Sequence, residues 1–272
     1  MKTINYISDF FHEELQGGGE ISDKVLIDYF INNGYDVNTI KSNQFNGKII
    51  HGKMLISNFA NLSTANKNFI SNNCDYIIIE RDQKYVKSRN TALYDNFVAP
   101  NSEVINVDFY KKAKKVFCLS NHSKELLKSH INLENVESLG CTQFSKSQFD
   151  HLRNSYKEAK NTKWCIISGK RSNKAIQFCE LNGLDYDILP RMAWKDLIKK
   201  MSEYKGLIFF SHSVETCCRL VLEARMLGLS LRTDNRVGCT YESWFGKYKG
   251  IELINFLENK VSNSMEIIKG VL

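Results

Sequence analysis

Long apolar runs are missing from this chain: nothing in its 272 residues approaches the ~20 consecutive apolar positions that a membrane-spanning helix needs. A charged-then-apolar leader ending in small side chains is missing too, so a soluble, cytoplasmic protein without a transmembrane segment is expected. Eight cysteines are present, but none is spaced as C-x-x-C and the context is not that of a small secreted domain, which favours reduced buried thiols over disulfides. The six histidines show neither H-x-x-x-H nor H-E-x-x-H spacing, so no metal site is expected from them. The dinucleotide fingerprint G-x-G-x-x-G, internal repeats and low-complexity tracts are also missing.

What the chain carries is an alternation of elements. Strand candidates at 5–8, 37–41, 54–58, 76–80, 115–119 and 136–139 alternate with helical patterns, which specifies a parallel sheet with helical crossovers. A second series at 164–168, 186–189, 207–210 and 229–233 repeats the plan, and the polar helical stretch 145–160 between them reads as a connection. The expected fold class is α/β with two Rossmann-like domains, 1–150 and 151–272, of the roughly 120 to 150 residues common for such domains. The tail 251–272 has a helical pattern.

The most informative segment is Ser211-His-Ser-Val-Glu-Thr-Cys-Cys-Arg-Leu-Val-Leu-Glu-Ala-Arg-Met-Leu-Gly228. The apolar strand candidate 206–210 precedes it, and 214–227 has apolar residues at helical spacing. Glu215 falls at the helix mouth and Glu223 about two turns along, which at 1.5 Å per residue separates them by roughly 12 Å. That is about the distance from the hexose to the ribose of a sugar nucleotide. A helix N-terminus beyond a strand's carboxyl end also offers N–H groups and positive dipole to a diphosphate. The competing explanation is an ordinary first-turn acid and a solvated one.

Three further segments bear polar chemistry. Gln16-Gly-Gly-Gly-Glu20 follows the first strand, and glycine lets a backbone approach a phosphate or sugar with no Cβ in the way. Trp164-Cys-Ile-Ile-Ser-Gly-Lys-Arg-Ser-Asn-Lys174 runs from an apolar strand through Gly169 to three cations, Lys170, Arg171 and Lys174. Fixed cations there favour a transition state in which negative charge grows on a leaving diphosphate. Asp75-Tyr-Ile-Ile-Ile-Glu-Arg-Asp-Gln-Lys-Tyr-Val-Lys-Ser-Arg-Asn90 breaks from an apolar strand into a cationic, tyrosine-containing loop of the kind that faces a cleft.

These segments resemble the GT-B glycosyltransferases, specifically retaining glycosyltransferase family 4, whose C-terminal domain carries Glu-x7-Glu followed by Ala-x-x-x-Gly; Glu215, Glu223, Ala224 and Gly228 match. The resemblance implies a GT-B fold with a cleft between its two domains, the first for the acceptor and the second for the nucleotide-sugar donor, with the last helix packing back on the first. It implies that Glu215 contacts the donor sugar and Glu223 the ribose, with His212 and Thr216 beside them on the donor side. Gly17, Gly18 and Gly19 match the family's glycine loop against the donor phosphates. Lys174 matches its lysine, and Lys170 or Arg171 its arginine, the loop being about one residue shorter than usual. The segment after the fourth strand resembles the Glu-His-Asp-x-Lys-Tyr-x-x-x-Arg-Asn pattern of small viral and bacterial GT-B-like proteins. Glu80, Asp82, Lys84, Tyr85, Arg89 and Asn90 match it, which implies a catalytic role for Asp82 and an acceptor-side role for the others. Arg81 stands where that pattern has histidine, so the histidine's role does not carry over.

The resemblance therefore implies a hexosyl- or pentosyltransferase that uses a nucleotide-diphosphate sugar such as a UDP-sugar as co-substrate, with no cofactor and no metal. A catalytically inactive binding protein of the same fold is the alternative. Asp185-Tyr-Asp187 spells the Asp-x-Asp of metal-dependent glycosyltransferases but overlaps a strand. A net charge of +7 and a pI near 8.9 favour anionic partners. The basic segments 84–89, 111–115 and 170–174, with Tyr85, Tyr94 and Tyr110 nearby, suggest a groove that contacts phosphates, so the acceptor is expected to be a glycan or a hydroxymethylated base in phage DNA.

Overall fold

A computed structural model describes residues 2–48, 51–169 and 172–272 of the protein. Lys170 and Arg171, the two alternatives for the arginine of the cation loop, lie outside the described residues. The strands of the first series are β1 (Lys2–Ser8), β2 (Tyr35–Lys41), β3 (Lys53–Ile56), β4 (Tyr76–Glu80), β5 (Lys115–Cys118) and β6 (Val136–Ser138); they form one sheet in the order β2-β1-β3-β4-β5-β6. The second series, β7 (Trp164–Ile167), β8 (Tyr186–Leu189), β9 (Gly206–Ile208) and β10 (Ser230–Arg232), forms a sheet in the order β10-β9-β7-β8. Every pairing is parallel. The reason is visible in β4, where Tyr-Ile-Ile-Ile-Glu is buried throughout: a run apolar on both faces suits a strand covered on both sides.

The crossovers use α1 (Gly18–Asn32), α2 (Thr64–Asn73), α3 (Val107–Lys111) and α4 (Asn121–His130) in the first sheet. Around the second lie α5 (Lys146–Ser155), α6 (Ser172–Leu181), α7 (Trp194–Met201) and α8 (Arg219–Met226), followed by α9 (Ile251–Val271). In both sheets the first strand lies between the second and the third, so the chain reverses its direction of travel between β1 and β3 and again between β7 and β9. Ligands of open α/β sheets collect at the carboxyl ends of such strand pairs.

The chain divides into one compact unit of Met1–Gln143 with Val261–Leu272 and another of Phe144–Lys260. The division falls ahead of the boundary at 150 expected from sequence, because α5 folds with the second unit. Ser145 and Gln148 form its capping box, and Arg153 bonds Glu258 at 2.9 Å. The end of α9 belongs to the first unit, where Tyr29 bonds Glu266 and Lys114 donates to the Val271 carbonyl at 2.5 Å. The first unit's core joins Ile7, Ile56, Ile78 and Val116 to the rings of Phe59, Tyr76 and Phe109. The second core is smaller, with Trp164, Ile166, Ala175, Cys179 and Ile208 at its centre. A Cβ at Gly206 would run into the Trp164 ring, so only glycine fits there. Among the described residues no helix is long and apolar enough to cross a membrane.

Candidate functional site

In the second unit a cavity of about 620 Å³ opens at the point where the chain reverses. Ile166, Ile167, Ser168 and Gly169 line it from the end of β7, Ile208, Phe209 and Phe210 from the end of β9, and Ser172, Arg191 and Leu220 close it. Ser172, the first residue of α6, donates its hydroxyl to the Gly169 carbonyl at 2.8 Å. Lys174 lies within the first turn of the helix, its Nζ 5.1 Å from the centroid of the Phe210 ring and 3.3 Å from Asp234 Oδ2. Asp234 is shared with Arg236 at 3.9 Å, so the three side chains leave one net positive charge beside the cavity. Arg236, which sequence reasoning did not single out, also donates to the Ser211 carbonyl at 2.8 Å.

The segment bearing the two acids differs from the expected helix. Helix α8 begins at Arg219, and its N-cap Cys218 is left-handed at φ 56°. Glu215 instead forms a parallel bridge to Val237: its N–H donates to the Arg236 carbonyl at 2.7 Å, and Gly238 N–H donates to the Glu215 carbonyl at 2.8 Å. Its carboxylate accepts from the Ser211 hydroxyl at 3.0 Å. Bridging across to 236–238 competes with helix at these residues and wins. Glu223 does lie on the helix, 3% exposed, with Oε1 accepting from the Trp194 indole at 3.0 Å and lying 3.5 Å from Arg219 Nε. The Arg219 guanidinium stacks 3.8 Å from the Phe144 ring centroid. His212 is exposed and Thr216 half-buried. Cys217 is buried, burial pushes the Cys218 thiol well above its ordinary range, and all eight cysteines are free.

The first unit gathers polar groups at its own reversal point. Asp23 of α1 accepts from Tyr6 at 2.8 Å and Ser8 at 3.3 Å on β1, from Ser57 after β3 at 2.9 Å, and from Arg81 after β4. The glycine loop is shorter than expected, because Gly17 caps α1 and Gly18 and Gly19 form its first turn, with Ile21 N–H donating to the Gly17 carbonyl at 3.0 Å. The Glu20 carboxylate folds over Gly17, so a Cβ there would collide with it. Burial, with repulsion from Asp23 and Asp82, holds Glu20 above the usual carboxylate range.

The candidates after β4 separate into two groups. Asp82 and Arg89 are exposed and left-handed, at φ 61° and 52°, and Asn90 caps the turn 91–93 through Ala92 N–H at 3.1 Å. Glu80, Lys84 and Tyr85 turn inward and are each 1% exposed. Glu80 accepts from the Tyr110 hydroxyl and from Lys84 N–H, the Lys84 ammonium bonds the Arg81 carbonyl, and Tyr85 packs against His130. Of the three basic segments expected to form a groove, the two in the first unit do not converge. Lys84 is internal, and 111–114 precede the amino end of β5, at the opposite end of the strands from the loop that follows β4. Asp185 and Asp187 likewise lie at the amino end of β8, away from the cavity, with Lys163 at 4.0 and 3.0 Å and Tyr204 donating to Asp187 at 3.0 Å.

No family model and no curated protein matches the sequence. The fold does match solved structures. The Anabaena protein Alr3699/HepE in complex with UDP aligns with a TM-score of 0.53 at 12% identity, over 98% of this chain and 94% of that one. The same protein with UDP and glucose gives 0.52 at 11%, over 96% and 89%. An α-glucosyltransferase with UDP and a 13-mer DNA containing a central A:G mismatch gives 0.50 at 11%, over 100% and 90%. The chain therefore has the α/β fold of GT-B glycosyltransferases.

Proposed function

We propose that this chain is a glycosyltransferase of the family 4 type, in which the second unit holds a UDP-sugar and the sugar passes, with retention and without a metal ion, to a hydroxyl acceptor. The observation that carries this reading is the cavity at the ends of β7 and β9, bordered by Lys174 and by the helix that bears Glu223. The solved proteins of the same fold hold UDP, which supports uridine as the donor base.

In this reading the diphosphate meets the first turn of α6, where helix N–H groups favour an anion. As the bond from the sugar C1 to the diphosphate breaks, negative charge grows on the leaving group, and Lys174 stabilises it more than the intact donor. Lys170 or Arg171 supplies the second cation. Glu215, held on an extended segment by its bridge to Val237, positions the sugar, and Glu223, fixed by Trp194 and Arg219, takes the ribose hydroxyls. The engagement of Asp185 and Asp187 with Lys163 at the far edge of the sheet supports metal-independent chemistry. Asp82, presented by left-handed backbone after β4, is the catalytic candidate of the first unit, with Arg89 and Asn90 on the acceptor side. The acceptor is a glycan or a hydroxymethylated base in DNA, and the net charge of +7 accommodates the anionic one.

The test is product analysis with UDP-, GDP- and ADP-sugars, with and without a glycan or a hydroxymethylcytosine duplex. Release of nucleoside diphosphate that requires acceptor, with the sugar found on the acceptor by mass spectrometry, is expected. Binding of nucleotide sugars with no release under any condition would show an inactive binding protein instead.

A further inference from the structure

Arg81 is 5% exposed, yet only one of its guanidinium nitrogens is used. Nη1 carries the ion pair to Asp23 and also lies 2.8 Å from the Gly19 carbonyl and 3.1 Å from the Ser57 hydroxyl. Nε and Nη2 are buried and hold no hydrogen bond. An unpaired buried donor is destabilising, more so when charged, so such a group in a native protein needs a cause. The ion pair to Asp23 accounts for the burial of Nη1 alone. Nε and Nη2 together form the edge with which a guanidinium makes two parallel hydrogen bonds to a pair of oxygens.

The surroundings decide what kind of oxygen fits. Burial works against the Arg81 charge, and Asp23 outweighs it, with Tyr6 and Asp82 adding to the effect. Glu20 shares the same field, feeling Asp23 and Asp82 as repulsion and Arg81 as attraction. Three carboxylates thus act on one cation, and a further anion would be repelled. A hydroxyl is compatible with both kinds of neighbour, because it accepts from an arginine N–H and donates to a carboxylate. The side chain also lies directly behind the glycine loop: a Cβ on Gly19 would stand 3.7 Å from Nη1 and 3.8 Å from Cδ. Backbone without a side chain therefore covers the Nη1 edge of the guanidinium.

We propose that the free Nε/Nη2 edge of Arg81 binds adjacent hydroxyls of an uncharged sugar ring, with Glu20 and Asp82 accepting the hydroxyl protons, so that the first unit selects neutral over acidic sugars. This deepens the proposed function and rests on it. The ring belongs either to the donor or to a glycan acceptor, and the chemistry is the same in both cases.

Arg81→Lys separates the two roles of the side chain, because lysine keeps a cation opposite Asp23 and lacks the second edge. Calorimetry with UDP, UDP-glucose and UDP-glucuronate on both proteins, and KM for methyl glucoside as acceptor, provide the readout. UDP affinity should be unchanged. UDP-glucose should weaken about tenfold if the ring is the donor's; KM for methyl glucoside should rise about tenfold if it is the acceptor's. Wild-type protein should bind UDP-glucose more tightly than UDP-glucuronate. Should the variant fold poorly, the Arg81 Nε–H resonance of the wild-type protein decides: it should shift with UDP-glucose or methyl glucoside and not with UDP. Unchanged sugar affinities and resonance in a protein that binds UDP, or preference for UDP-glucuronate, would overturn this inference alone. Failure to bind UDP at all would overturn the proposed function and this inference with it.

Discussion

The indole of Trp194, at the start of α7, donates to the carboxylate of Glu223 on α8 at 3.0 Å, and so fixes the orientation of the acid proposed to meet the ribose. Glu223→Ala should therefore weaken UDP binding by about 1.5–3 kcal/mol, the usual loss for a hydrogen bond to a charged group. Trp194→Phe, which keeps a ring and removes the donor, should weaken UDP in the same direction by less. Glu215→Ala should leave UDP affinity near wild type and chiefly lower kcat, because it removes sugar positioning in the reaction rather than nucleotide contact. Titration calorimetry with steady-state kinetics on the three variants checks this. Unchanged UDP affinity in Glu223→Ala would remove the ribose assignment.

Chelation separates the cation loop from a metal-dependent mechanism. If Lys174 and its neighbour in 170–171 neutralise the diphosphate, transfer should survive EDTA, and Lys174→Ala should lower kcat by more than it lowers UDP affinity. Loss of activity on chelation, restored by manganese, would return Asp185 and Asp187 to consideration.

Much of this architecture was legible because the strands are short apolar runs bounded by polar turns. All ten lie where the alternation placed them, from β1 at Lys2–Ser8 to β10 at Ser230–Arg232. What was not legible depends on distant partners. The apolar spacing of 214–218 reads as helix, but Glu215 pairs with Val237, twenty-two residues on, and no local pattern announces that bridge. Lys84 reads as a surface cation, and only the packing against Glu80 and Phe59 turns it inward. Trp194 reaches Glu223, and the Arg236 backbone carbonyl reaches Glu215 N–H, from other segments, and neither carried a signal. Arg219 did carry one, since it stands four residues before Glu223 on the same helix face.

Salt dependence distinguishes the two acceptors. Each phosphate contact on duplex DNA contributes a slope of about −0.9 to the fall of log affinity with log salt, whereas a neutral glycan contributes almost none. Exposed Arg89 should account for about one such contact, so Arg89→Ala should flatten the slope for a hydroxymethylcytosine duplex by about 0.9. Buried Lys84 should not; Lys84→Ala should lower Tm instead. Filter binding between ~50 and 200 mM salt is sufficient. A flat salt profile in the wild-type protein would exclude DNA.

Glu80 provides a test of the interior. Burial raises its carboxyl above the usual range, against the pull of Lys84 and the Tyr110 hydroxyl. The native state therefore binds this proton more tightly than the unfolded chain. The stability it contributes is complete below the unfolded value of about 4.3 and is lost as pH rises through the native one. Glu80→Gln is neutral throughout, so the stability of the variant relative to wild type should grow as pH rises from 4.5 towards neutrality, then level off once the native carboxyl is fully ionised. Urea denaturation of both proteins across that range measures it, and a difference that shrinks with rising pH would contradict the buried ionisation.

The central claim is that the second unit holds the nucleotide at the carboxyl ends of β7 and β9. A crystal structure of the protein with UDP tests it most directly. The account predicts UDP in the cavity lined by Gly169, Ser172 and Arg191, its diphosphate at the first turn of α6 near Lys174 and its ribose hydroxyls on Glu223. UDP bound elsewhere, such as the cleft lined by Lys160, Lys205 and Lys249 at the amino ends of the same strands, would contradict it.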